Sequence, residues 1–263
     1  MSILLRIISP YWWHFQFSRR NFVKFWFQVM AIKSFSNTIC TLADLLDFGK
    51  KHKVLGFNRE CIRAFIISKL YSSYNCSAFV ETGTFYGHTS AYVRKTFKTS
   101  VYTSEINTTH YFVSKLNLIW FAGIISTLSN SSEFVANICN KGTLGDNPMF
   151  YLDAHFYEHM PLPDELLNIG NLCEKAIIVI DDFLIPSQPE FLYDEYPGIR
   201  IDLELVETTL SQIRKDIDVY LPNYDPRLDP TGKGIGFAVI LLGHKQKIPA
   251  ELFPFDLLEQ VMV

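Results

Sequence analysis

Two short apolar runs in this 263-residue chain end in acids. Ala176-Ile177-Ile178-Val179-Ile180 leads into Asp181-Asp182, and Met149-Phe150-Tyr151-Leu152 leads into Asp153-Ala154-His155. Runs this short, β-branched or aromatic and apolar on both faces, suit buried parallel strands. A parallel sheet takes ligands outside the carboxyl ends of its strands, so Asp153, His155, Asp181 and Asp182 would converge there. Several like charges withdrawn from water need an opposing cation. One acid at a strand end is usually a helix cap; three acids from two strands favour a site.

The elements that must position these residues can be read from the pattern around them. Ala78–Glu81 reads as a strand, Gly83–Gly87 as its turn and His88–Phe97 as a helix. Val101–Glu105 and Ile124–Leu128 read as the next strands, with helices over about 109–121 and 131–139. The two acid-ended strands follow, separated by a helix around Pro163–Leu172. After Asp182, Pro186, Pro189 and Pro197 predict an irregular segment, and Ile201–Ile213 looks helical. Val219–Leu221 and Gly236–Leu242 predict a closing antiparallel strand pair. Gly232-Lys233-Gly234-Ile235-Gly236 looks like a phosphate loop but precedes a strand, so it reads as a turn. The whole predicts a doubly wound, mostly parallel α/β sheet over 75–263, preceded by a helical extension over 1–74.

The loop after the first strand, Glu81-Thr82-Gly83-Thr84-Phe85-Tyr86-Gly87-His88-Thr89, is the second informative feature. Its glycines allow a tight turn and close approach of backbone to ligand, and free N–H groups open the next helix. It lacks both GxGxxG and the GKS/T of a phosphate-cradling loop. Glu81 would repel a pyrophosphate and attract an ammonium or sulfonium group. Glu105, at the end of the second strand, stands where an acid accepts from the two hydroxyls of a ribose.

These residues resemble the class I S-adenosylmethionine-dependent methyltransferases, in the branch that carries E-T-G-T-x-x-G-x-T and I-D-D. Here those motifs are Glu81–Thr89 and Ile180-Asp181-Asp182, and the resemblance spans roughly Ala78–Phe183. It implies a Rossmann-like fold in which Glu81, Gly83, Thr84, Gly87 and Thr89 hold the methionine end of the cofactor and Glu105 its ribose. Asn130 and Ser131 would lie at the adenine, although Ser129-Asn130-Ser131 replaces a common G-D-S. It further implies O-methyl transfer to a sugar or polyol-bearing small molecule. Asp153, Asp181 and Asp182 would hold Mg²⁺ or Ca²⁺, with Asp153 and His155 as the catalytic pair. His155 is the expected base, with His159 behind it; without a cation, Asp153 could contact the methionine amine.

The composition bounds the rest. A net charge of -3 gives no electrostatic case for nucleic-acid binding. Five scattered cysteines without a CxxC pair suit reduced thiols in a cytoplasmic protein. Residues 1–35 interleave Trp12, Trp13, Phe25 and Trp26 with Arg19, Arg20 and Lys24. That pattern fits an interfacial membrane helix, hence peripheral attachment. It fits equally an arm packing on its own domain or on a second subunit. Two other functions compete: a non-catalytic module that docks on membranes or oligomerises, and a metal-dependent sugar-nucleotide transferase.

Overall fold

Each of the four acid-bearing or glycine-bearing strand ends must reach one edge of the sheet for the site to exist. The computed structural model describes residues 56–155, 160–196, 198–229, 233–249 and 257–261. The aromatic and basic segment 1–35 and His159 lie outside the described residues. Helix α1 (Cys61–Ser73) leads into β1 (Phe79–Thr82), α2 (His88–Phe97), β2 (Val101–Glu105) and α3 (Thr108–Leu118). Then follow β3 (Ile124–Leu128), α4 (Ser131–Asn140), β4 (Met149–Leu152), α5 (Leu162–Leu172) and β5 (Ala176–Asp181). The remainder is β6 (Glu195–Tyr196), β7 (Ile199–Arg200), α6 (Leu203–Leu210), β8 (Ile217–Pro222), β9 (Phe237–Leu242) and β10 (Leu258–Val261).

Eight strands form one sheet in the order β10-β8-β9-β5-β4-β1-β2-β3. The five strands β3-β2-β1-β4-β5 are parallel, and β9, β8 and β10 continue antiparallel. This is the Rossmann-like arrangement with its antiparallel closure. β6 and β7 form a separate ribbon inside the proline-rich segment, and β10 adds an edge strand that carries no sequence signal of its own. Right-handed crossovers place α2 and α3 on one face and α4 and α5 on the other; α4 packs on α5, and α5 on α6. The core strands are buried throughout, Met149–Leu152, Ala176–Asp181 and Phe237–Leu242 without a break.

Helix α1 belongs to that core through Ala64, Ile66, Ile67 and Leu70. Its start is tied down by carboxylates at either side. Asp229 accepts from the Ile62 N–H at 2.6 Å, and Glu60 accepts from the N–H groups of Lys233 and Gly234 at 2.6 and 2.8 Å. The glycine-rich turn before β9 therefore does form an anion-binding nest, and the chain fills it with its own Glu60.

Candidate active site

The register brings the site residues to one level. Thr82 pairs with both Ser104 and Leu152, Leu152 with Ile180, and Glu105 with Leu128. Gly83, Glu105, Asp153 and Asp181-Asp182 thus leave adjacent strands at the same carboxyl edge. The strand order reverses between β1 and β4, which is where a sheet of this kind opens a crevice.

Gly83 shows why the turn needs glycine. Its φ is +79°, and a Cβ there would overlap the carbonyl oxygen of Asp153 and lie 2.7 Å from its carbonyl carbon. The β1 turn is pressed against the end of β4, and only a hydrogen fits between. The Asp153 N–H donates to the Thr82 carbonyl at 3.1 Å, closing the same junction.

The acids and hydroxyls around that turn divide into two groups. Glu81, Thr84 and Thr89 face inward. Glu81 accepts from the Ser90 hydroxyl and, at 3.1 Å, from that of Thr103. Burial pushes its carboxyl up to about 7, against the pull of those hydroxyls. The Thr84 hydroxyl lies 2.6 Å from that of Thr103, and Thr89 accepts from the Phe57 N–H at 3.0 Å. These three side chains shape the turn from behind. Glu105 is placed differently: one carboxylate oxygen accepts from the Phe85 N–H and the other from the Asn107 N–H, each at 2.8 Å. Both oxygens are oriented by backbone and keep lone pairs for a ligand. Asn130 caps α4, its Oδ1 accepting from the Ser132 N–H at 2.9 Å, with Ser131 buried beside it.

Glu165, in the first turn of α5, is a residue that the pattern of motifs passed over. It is wholly buried and lies against the hydroxyls of Ser131 and Thr82, although neither carboxylate oxygen makes a well-formed hydrogen bond. It bridges the end of β1 and the start of α4. Burial raises its carboxyl to about 7, with the two hydroxyls opposing. A raised carboxyl favours the protonated native state, so stability present below pH 4.5 is lost as the pH rises toward 7. We expect Glu165→Gln to remove a part of that slope worth on the order of 2 kcal/mol. Urea midpoints at pH 5 and pH 8 check it; an unchanged pH difference would contradict it.

The acids of β4 and β5 do not act as one set. The motif places Asp181 at the site with Asp153 and Asp182, but its side chain is engaged elsewhere. Its carboxylate is taken up by the Arg63 guanidinium, the Tyr151 hydroxyl, the Asn58 amide at 2.9 Å and the Asp182 N–H at 2.9 Å. Arg63 and Asp181 are both wholly buried. The reason lies in α1, whose single buried cation the apolar sequence around it did not advertise. Asp182 turns the other way, with φ +56°, a left-handed conformation that aspartate tolerates at some cost. Asp153, His155 and Asp182 are then the residues brought together, their ligand atoms all within 4.8 Å of one another. Burial and the neighbouring Asp181 push the Asp182 carboxyl up to about 8, and those of Asp181 and Asp182 add to burial in raising Asp153. His155 is buried, and burial lowers its imidazole to about 4 against the pull of Asp181 and Asp194. It is therefore neutral at pH 7.

Comparison with known proteins supports the fold. No protein-family model matches the chain, and no curated protein matches it. Among solved structures, an O-methyltransferase of Bacillus cereus in complex with SAH superposes with a TM-score of 0.51 at 14% identity, covering 83% of this chain and 96% of that one. A Staphylococcus aureus protein described as a caffeoyl-CoA O-methyltransferase gives 0.50 at 17% identity, covering 85% and 98%. The chain has the Rossmann-like fold of these class I methyltransferases. No helix among the described residues is long and apolar enough to cross a membrane.

Proposed function

We propose that this protein is an S-adenosylmethionine-dependent O-methyltransferase acting on a hydroxyl of a sugar or polyol-bearing small molecule. The observation that carries the reading is Glu105 with both oxygens oriented by backbone N–H groups, on the strand beside Gly83, with the acids of β4 and β5 across the switch point. The residues present suit the cofactor. The Gly83 turn leaves backbone where a Cβ would intrude, Glu105 suits two ribose hydroxyls, and Asn130 with Ser131 opens a helix at the adenine end. Both SAH binding by the Bacillus cereus neighbour and the caffeoyl-CoA O-methyltransferase description of the Staphylococcus aureus one support the choice of cofactor and reaction.

Bound S-adenosylmethionine supplies an electrophilic methyl on sulfur; the acceptor oxygen forms the new C–O bond as the S–C bond breaks, and the hydroxyl proton must leave. The protein's share is mainly to hold sulfur, methyl and oxygen in line. Asp153 and His155 lie where an acceptor would enter, and a neutral His155 or an ionised Asp153 could take the proton. A divalent cation held by acids here would lower the hydroxyl pKa. Glu81 supports the turn from inside, so its attraction for the methionine ammonium acts at longer range than its place in the motif implies.

Incubation with methyl-labelled S-adenosylmethionine and a panel of sugars, polyols and phenols tests this reading. Label should appear on a hydroxyl oxygen of a sugar or polyol. Transfer only to phenols would overturn the acceptor class, and transfer to nitrogen the reaction. Glu105→Ala should weaken S-adenosylhomocysteine binding by about 100-fold, as two charge-assisted hydrogen bonds are lost. Calorimetric titration checks it; an unchanged affinity would remove Glu105 from the ribose.

A further inference from the structure

We propose that Asp153, His155 and Asp182 form a cation site that selects a first-row transition ion such as Mn²⁺ over Mg²⁺, with His155 as a ligand and Asp181 excluded. Three observations support it. The first is convergence: one ligand atom from each residue lies within 4.8 Å of the others. Ligands bound about 2.0–2.2 Å from one ion sit roughly 3–4 Å apart, so small side-chain rotations would close the shell. The second is an unpartnered group aimed into the cluster. The His155 side chain is wholly buried, its ring lies against the Asp181 backbone without a well-formed hydrogen bond from either nitrogen, and Nε2 lies 3.8 Å from an Asp182 oxygen. Even with one nitrogen turned to that backbone, burying the other without a partner is costly unless something ligates it.

The third observation is the charge balance. Arg63 neutralises Asp181, and both its terminal nitrogens are engaged there, one on Asp181 and Tyr151 and the other on the Ile235 carbonyl. No cation among the described residues pairs with Asp153 or Asp182 within salt-bridge distance, save a protonated His155. Two carboxylates and an imidazole, brought together by the fold, match a divalent ion. The imidazole decides which ion. Mg²⁺ prefers oxygen ligands and its own water, whereas nitrogen donors favour Mn²⁺ and the later ions of the series. A ring nitrogen bound to the ion is also closed to the acceptor's proton, so His155 becomes a ligand and not the base.

The inference refines the acceptor end of the proposed methyltransferase and rests on that reading for its use, though not for its existence. Calorimetric titration of the full chain with MnCl₂ and MgCl₂ tests it, with S-adenosylhomocysteine titrated into the same samples. One Mn²⁺ should bind at least ten-fold more tightly than Mg²⁺, and His155→Ala should abolish that preference. Pulsed EPR of Mn²⁺ on the unmodified protein should show coupling to a directly bound nitrogen, which needs no folded variant. Equal or tighter Mg²⁺ binding, or bound Mn²⁺ without nitrogen coupling, would overturn the proposal. Failure to bind S-adenosylhomocysteine beside intact Mn²⁺ binding would overturn the methyltransferase reading and leave the ion site standing.

Discussion

Arg63→Met is expected to destabilise the fold by about 3–5 kcal/mol, the range for removing one partner of a buried ion pair. Arg63 is wholly buried; it pairs with Asp181, donates to the Tyr151 hydroxyl at 3.1 Å and to the Ile235 carbonyl, and lies 5.0 Å from the centre of the Phe237 ring. Methionine keeps much of the volume and loses every donor. Asp181 would remain in the core with only Tyr151, Asn58 and a backbone N–H. Neutralising the orphan should recover part of the loss, so Arg63→Met with Asp181→Leu should be more stable than Arg63→Met alone. Urea unfolding of the two variants checks this. A cost below about 1 kcal/mol for Arg63→Met would mean that the pair is not buried as described.

The second large effect concerns the turn. Gly83→Ala should lower S-adenosylhomocysteine affinity by at least about 100-fold, or about 3 kcal/mol. The added methyl would overlap the Asp153 carbonyl oxygen in a backbone conformation that alanine disfavours, at φ +79°. Relief requires moving the turn from β4, which displaces Gly83 and Asp153 together. Gly142 is the control: it also has positive φ, at +64°, but a Cβ there meets nothing within 4 Å. Gly142→Ala should leave ligand binding unchanged. Comparable losses in both variants would indicate backbone strain and not the β1–β4 junction.

The difference between what was legible and what was not follows from locality. Helix His88–Phe97 is legible to the residue because the Gly87 turn and Lys98 bound it. The acid-ended strands were legible because β4 and β5 are buried on both faces, which forces unbroken apolar runs. β10 was not legible, since its half-buried residues show no clear alternation and its pairing with β8 depends on distant chain. In the candidate site, motif order singles out residues to consider, but motifs do not state where a side chain turns. Asp181 and Asp182 are neighbours in sequence and opposite in use, because one meets Arg63 from a helix more than a hundred residues away. Thr84 and Thr89 belong to the loop by motif, yet their hydroxyls are spent on Thr103 and Phe57. Glu165 and Arg63 each occupy a position that any helix former could fill, and only tertiary packing shows their burial.

The proposed function depends on the carboxyl edge between β1 and β4 holding S-adenosylmethionine. Calorimetric titration of the full chain with S-adenosylhomocysteine tests it most directly. The arrangement of Gly83 and Glu105 predicts one molecule bound per chain, with binding weakened about 100-fold by Glu105→Ala. No binding with or without divalent ions, from a protein that unfolds cooperatively, would contradict it.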